Sequence, residues 1–173
     1  MASSRILVVY YSRTGTTRKV AEALAATLRC DSEEIVEAGS RSGMLGYLRC
    51  VLEARRQVPA RIAAAARDPS NYDLIIIGTP VWAWSVSSPA RAYLLANKAR
   101  LPAVAFLCTL GGAGSERAFG QMQELAGKPP VGCLSVTALD VASAAYQPRL
   151  AMFAETLQRT LAGRREGAAA NTA

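Results

Sequence analysis

The sequence contains no histidine. Ser/His and Cys/His nucleophile pairs and histidine metal sites therefore cannot be built, and much hydrolytic chemistry goes with them. No metal ligand and no catalytic acid or base is assigned. Lysine is nearly missing too: of 20 cationic residues 17 are Arg, and only Lys19, Lys98 and Lys128 are Lys. The cations are scattered without a basic tract. A net charge of +7 thus reflects arginine-rich composition, and no nucleic-acid partner is expected.

Cysteine is sparse. Cys30, Cys50, Cys108 and Cys133 form no C-x-x-C pair, and structural packing is the default for all four. Apolar runs such as Ile6 to Tyr11 and Leu74 to Ile77 are far shorter than the roughly 20 residues of a membrane span. The N-terminal run is too short for a signal peptide, so a cytoplasmic location is expected. Aromatics make up only 6% of the chain, which makes Trp82 and Trp84, two positions apart, conspicuous.

What is present is the composition of one globular domain: 173 residues, 51% hydrophobic and 19% charged. Five strand-like runs, Ile6 to Tyr11, Glu33 to Ala38, Asp73 to Thr79, Ala103 to Thr109 and Gly132 to Leu139, alternate with helical periodicity. The helical stretches are Arg18 to Leu28, Ala90 to Lys98, Ser115 to Leu125 and Pro148 to Leu161. Such a series folds into an α/β protein, a doubly wound parallel sheet with helices on both faces. Residues 39–67 are too long for a connection and carry helical patterns of their own, Met44 to Arg56 and Pro59 to Arg67. Six Arg against Glu53 make this insertion strongly basic. A solvated helical face is its default reading, with Tyr47, Leu48, Val51 and Leu52 packed inward; contact with an acidic redox partner or the 2′-phosphate of NADPH is the alternative. Cys50 and Arg56 have C-x5-R spacing, but within a helix this is coincidence. The tail, 163–173, is small and polar and is expected to be flexible.

Ligands of such sheets bind beyond the carboxyl ends of the strands. Three loops there are unusual. Ser12-Arg13-Thr14-Gly15-Thr16-Thr17 offers four hydroxyls and backbone N–H groups at a helix start, an anion site beyond what an N-cap requires. Lacking G-x-G-x-x-G and G-K-[ST], it suits a terminal phosphate better than a pyrophosphate. Gly78-Thr79-Pro80-Val81-Trp82-Ala83-Trp84-Ser85 brings aromatic surface for a planar ligand, although either Trp could instead fill core space. Thr109-Leu110-Gly111-Gly112-Ala113-Gly114 allows close backbone approach. Together they describe a site for a flat ring system with a phosphate tail.

The chain resembles the flavodoxin superfamily of FMN-binding proteins over about residues 5–162. Val8 to Thr17, followed by Ala21 and Leu24, is similar to the family's phosphate-loop signature, and Gly78 to Trp82 and Thr109 to Gly112 resemble its second and third flavin loops. The resemblance implies a flavodoxin-like sheet of order 2-1-3-4-5 within a domain spanning 1–162. It implies FMN as cofactor, held at its phosphate by Ser12, Thr14, Gly15, Thr16 and Thr17; Arg13 in the same loop is a cofactor-binding candidate that either adds charge there or points to water. Thr79, Pro80, Val81, Trp82 and Ala83 would line the ribityl chain and one ring face, and Thr109, Leu110, Gly111 and Gly112 the pyrimidine edge. The implied function is electron transfer, or NAD(P)H-linked reduction of a small acceptor such as a quinone, with a redox partner protein or that acceptor as partner. A non-catalytic FMN-binding or interaction module is the alternative. Flavodoxin carriers are typically acidic around the ring, whereas these loops hold no Asp or Glu before Glu116. A higher second reduction potential is therefore expected.

Overall fold

Runs of Val, Ile and Leu with no polar alternation, at residues 6–10, 74–77 and 103–107, form strands buried on both faces, the pattern of a parallel sheet covered by helices. The computed structural model describes residues 4–38, 56 and 58–170. Its strands are β1 Ile6–Tyr10, β2 Asp31–Glu34, β3 Leu74–Trp82, β4 Ser85–Val86, β5 Ala103–Leu110 and β6 Cys133–Thr137; its helices are α1 Thr16–Leu28, α2 Ser88–Asn97, α3 Ser115–Ala126, α4 Ala138–Ser143 and α5 Gln147–Ala170. The parallel sheet has the order β2-β1-β3-β5-β6, and β4 pairs antiparallel with the end of β3. With that short strand set aside, the order is the 2-1-3-4-5 expected.

Two cores sandwich the sheet. Ile6, Val8 and Tyr10 point into one with Leu24 of α1 and Leu157 of α5; Leu7 and Val9 point into the other with Leu94 of α2 and Met122 of α3. β1 and β3 run in register from Ile6 opposite Leu74 to Tyr10 opposite Gly78. A Cβ at Gly78 would come 2.9 Å from the Tyr10 Cβ, so glycine is what lets the two central strands stay close beneath the loops.

Several elements differ from the sequence reading. The second strand is Asp31–Glu34 rather than Glu33 to Ala38, because pairing with β1 sets its register from Leu7 opposite Asp31. Pro59 to Arg67 is not a helix. Despite its alanines, Ile62 bridges Glu37, Ala63 N–H donates to the Val36 carbonyl, and the Glu33 carboxylate accepts from Ala66 and Arg67 N–H. Tertiary pairing here outweighs helix propensity. The Met44 to Arg56 pattern and the inward packing of Tyr47, Leu48, Val51 and Leu52 lie outside the described residues, Arg56 excepted. α5 continues through Gly163 to Ala170, and Arg165 on that extension pairs with Asp73 at 2.8 Å.

Candidate functional site

At the carboxyl end of the sheet, the loop after β1, the ends of β3 and β5 and the start of α4 line an open cavity of about 310 Å³. Arg13, Thr14, Thr16, Thr17, Pro80, Val81, Trp82, Thr109, Leu110 and Gly111 line it, together with Ala138. Ten of the fifteen residues named from sequence thus converge on one space. Ser12, Gly15, Thr79, Ala83 and Gly112 are not on its wall.

The loop after β1 leads into α1 through Gly15, the N-cap, whose φ of 87° is the left-handed conformation glycine adopts most readily. No side chain caps this helix start and no acid sits in its first turn. Its first N–H groups and positive dipole end are therefore available to an anion. The Ser12 hydroxyl is buried with no hydrogen-bond partner, an unsatisfied group of the kind that a ligand oxygen would satisfy. Thr14 and Thr16 hydroxyls stand 3.4 Å apart, and Thr17 turns inward to share a 2.7 Å hydrogen bond with Thr109.

After β3 the chain makes a tight hairpin rather than an open loop. Val81 pairs with Val86 and Trp82 with Ser85, leaving Ala83 and Trp84 as a two-residue turn with φ of 48° and 57°. Such turns ordinarily use Asn-Gly or Asp-Gly, so no turn signal was present in the sequence. Trp82 meets Tyr11 edge-to-face, ring centroids 5.8 Å apart. Trp84 is 60% exposed and rests on Gly114, where a Cβ would come 2.7 Å from its ring. Thr79 lies under the hairpin and bonds the Ser87 hydroxyl at 2.8 Å.

A Cβ added at Gly111 or Gly112 would meet nothing within 4 Å, so the glycine edge faces open space. Sequence reasoning missed Ala138, which opens α4 and closes the cavity from the fourth side. Its signal is the Thr137–Asp140 capping box: each side chain bonds the other's backbone N–H. Those bonds, with Arg149, hold the Asp140 carboxyl below the usual aspartate range. Arg13 is the one charged residue on the described lining. Burial pushes the Cys108 thiol far up and those of Cys30 and Cys133 to about 11, so these three cysteines stay protonated at neutral pH.

Residues 5–130 match the flavodoxin family. No curated protein matches the sequence. Among solved structures, the flavoprotein of Lactobacillus acidophilus NCFM in complex with FMN is 24% identical with a TM-score of 0.68, covering 81% of this chain and 97% of its own. The apo-form of the L. acidophilus flavoprotein is 26% identical at TM-score 0.58, covering 79% and 93%. A protein of Bacteroides eggerthii DSM 20697 described as a proposed flavoprotein is 22% identical at TM-score 0.71, covering 87% and 98%. The chain belongs to the flavodoxin family.

Proposed function

We propose that this chain binds FMN in the cavity above β1, β3 and β5 and serves as a redox protein, in electron transfer or in NAD(P)H-linked reduction of a small acceptor such as a quinone. The observation that carries this reading is the uncapped start of α1, where Thr14 and Thr16 line one end of a cavity that Trp82 and Gly111 line elsewhere, with the unpartnered Ser12 hydroxyl in the same loop just behind that wall. That donor set fits a phosphate joined to a flat ring. Ser12, Thr14, Thr16 and the first N–H groups of α1 would hold the phosphate, with Arg13 adding positive charge. Pro80, Val81 and Trp82 would cover one ring face, and Leu110 and Gly111 its edge.

When bound, FMN supplies one- and two-electron chemistry, and the protein supplies orientation, exclusion of water and electrostatics. No side chain on the described lining is a general acid or base at neutral pH. The residues therefore position and shield rather than transfer protons. The test is titration of flavin-stripped protein with FMN, followed by flavin fluorescence, with riboflavin as the control that lacks the phosphate. Tight one-to-one quenching by FMN and weak binding of riboflavin support the reading. Equal affinity for both would remove the phosphate role, and no binding would leave the family fold without its cofactor. Oxidation of NAD(P)H with added quinone then separates a reductase from a carrier.

A further inference from the structure

The hairpin that brings Pro80, Val81 and Trp82 to the cavity rests on α3 through Trp84 on Gly114 and through Val86 in the core with Ala118 and Met122, and its hydrogen bonds to that helix meet at one atom. The Oε1 of Gln121 accepts from Ser85 Oγ at 2.8 Å, from Val86 N–H at 3.1 Å and from an Arg91 Nη2 at 3.2 Å. A backbone N–H and a guanidinium can only donate, so the amide oxygen must face them and the orientation of the side chain is determined. Two lone pairs serve three donors, and the atom is saturated.

Arg91 is the buried third donor to this atom. It is 5% exposed on a helix whose neighbours Ala90, Tyr93 and Leu94 are buried apolar residues, and its Nε has no partner. A buried cation is costly unless hydrogen-bonded; Glu124 on α3 offsets part of the Arg91 charge, and removing the Gln121 acceptor takes away its hydrogen bond to α3. Gln121 joins the hairpin, α2 and α3 at one acceptor. The same helix α3 starts at Ser115, just past the glycine edge, with Trp84 seated on Gly114. Gln121 thus spans from the strand pair carrying Trp82 to the element carrying the glycine loop.

We propose that Gln121, bonded by buried Arg91, is a positioning residue that sets the distance between the Trp82 wall and the glycine edge of the cavity. The inference rests on the FMN reading for its consequence, but the placement of Trp82 is measurable without flavin.

The test compares Gln121→Leu, which keeps the size and loses the acceptor, with Gln121→Glu, which keeps an acceptor oxygen and adds charge opposite Arg91. Leu157→Ala, in the core on the other face of the sheet, is the control for general destabilisation. In a Trp84→Phe background, the near-ultraviolet circular dichroism of the apoprotein reports Trp82 against Tyr11. With FMN at saturation, visible circular dichroism and residual flavin fluorescence report the ring against Trp82. Q121L is expected to lose the near-ultraviolet band, raise residual flavin fluorescence and weaken FMN binding about tenfold, a change of about 1.4 kcal/mol. Q121E is expected to restore all three, and L157A to lower the melting temperature while leaving the spectra unchanged.

If Q121L does not fold, the double variant Q121L/R91M replaces the polar group and the cation together with apolar bulk and carries the same expectation. Wild-type spectra in Q121L or the double variant, or an equal spectral change in L157A, would overturn the proposal. Failure of the wild type to bind FMN would instead refute the cofactor reading, and the near-ultraviolet comparison would still decide the role of Gln121.

Discussion

The hydroxyls of Thr17 and Thr109, 92 positions apart in sequence, share a buried 2.7 Å hydrogen bond that ties the first turn of α1 to the end of β5. It joins the candidate phosphate loop to the candidate glycine loop. Replacing one partner leaves the other hydroxyl buried and unsatisfied, at a cost of about 1–3 kcal/mol, whereas replacing both by isosteric Val removes the need for the bond. Thr17→Val and Thr109→Val are each expected to destabilise the protein, and the double variant less than their sum. Urea unfolding measures all three, and strict additivity would show that the pair is not coupled.

Ser12→Ala is expected to act with opposite signs on stability and on binding. The hydroxyl has no partner in the folded protein, so its removal relieves an unsatisfied buried group and leaves the melting temperature unchanged or higher. A hydrogen bond to a charged phosphate contributes about 1.5–3 kcal/mol, so FMN affinity is expected to fall by roughly tenfold or more. Trp84→Ala, at an exposed ring off the cavity wall, is expected to weaken binding less. The reverse order of the two affinities would remove the phosphate loop from its assigned role.

The turn at Ala83 and Trp84 places two residues with side chains in the left-handed region, at roughly 1–2 kcal/mol each relative to residues suited to it. Ala83→Asn combined with Trp84→Gly supplies the sequence this turn ordinarily uses. The variant is expected to melt a few degrees higher, since about 1 kcal/mol corresponds to roughly 2–4 °C for a chain of this size. An unchanged or lower melting temperature would mean that Trp84 packing on Gly114 outweighs the backbone strain.

The parallel α/β class and the gathering of three loops at one sheet end were legible because they depend on local pattern: uninterrupted Val/Ile runs, helical spacing, and Ser, Thr and Gly after strands. The strand order rested on the family resemblance, since local pattern does not carry it. What was not legible depends on contacts between distant residues. The Ala83–Trp84 hairpin has no turn signature and is held by Gln121 from 35 positions away. Ile62 to Ala66 has the propensity of a helix and is drawn into extended pairing by Val36 and Glu37. Thr79 looks like a ligand contact in a flavin-loop motif, yet its hydroxyl is already engaged with Ser87. Ala138 carried no side-chain chemistry to notice, and only the capping box beside it marked the fourth wall.

Asp140 gives the acid limb of stability a definite sign. Its carboxyl is held below the ordinary value of 3.8, first by the Thr137 backbone N–H and then by the Thr137 side chain and Arg149. A depressed folded value means that its contribution is fully present above the unfolded value and is lost as pH falls through the folded one. Asp140→Asn is therefore expected to be less stable than wild type at pH 7, the gap closing as pH falls below the ordinary carboxylate range and through the depressed folded value. Thermal melts across pH 2–7 measure the difference, and a constant gap between the two proteins would show that the charge on Asp140 does not stabilise the start of α4.

The electrostatics of the lining bear on the redox role most directly. Arg13 is the charged residue on the described wall and no carboxylate accompanies it there, so the lining disfavours a negatively charged reduced flavin less than an acidic surround would. The second reduction potential of bound FMN is expected to lie above that of acidic flavodoxins measured under the same conditions. Arg13→Glu reverses one charge at the wall and is expected to shift that potential downward by an amount on the order of 50 mV, the single-electron equivalent of about tenfold in the equilibrium. Reductive titration of both proteins against reference dyes makes the comparison. A wild-type potential as low as that of the acidic carriers, or one that does not move in R13E, would mean that solvent rather than the lining sets the energy of the reduced ring.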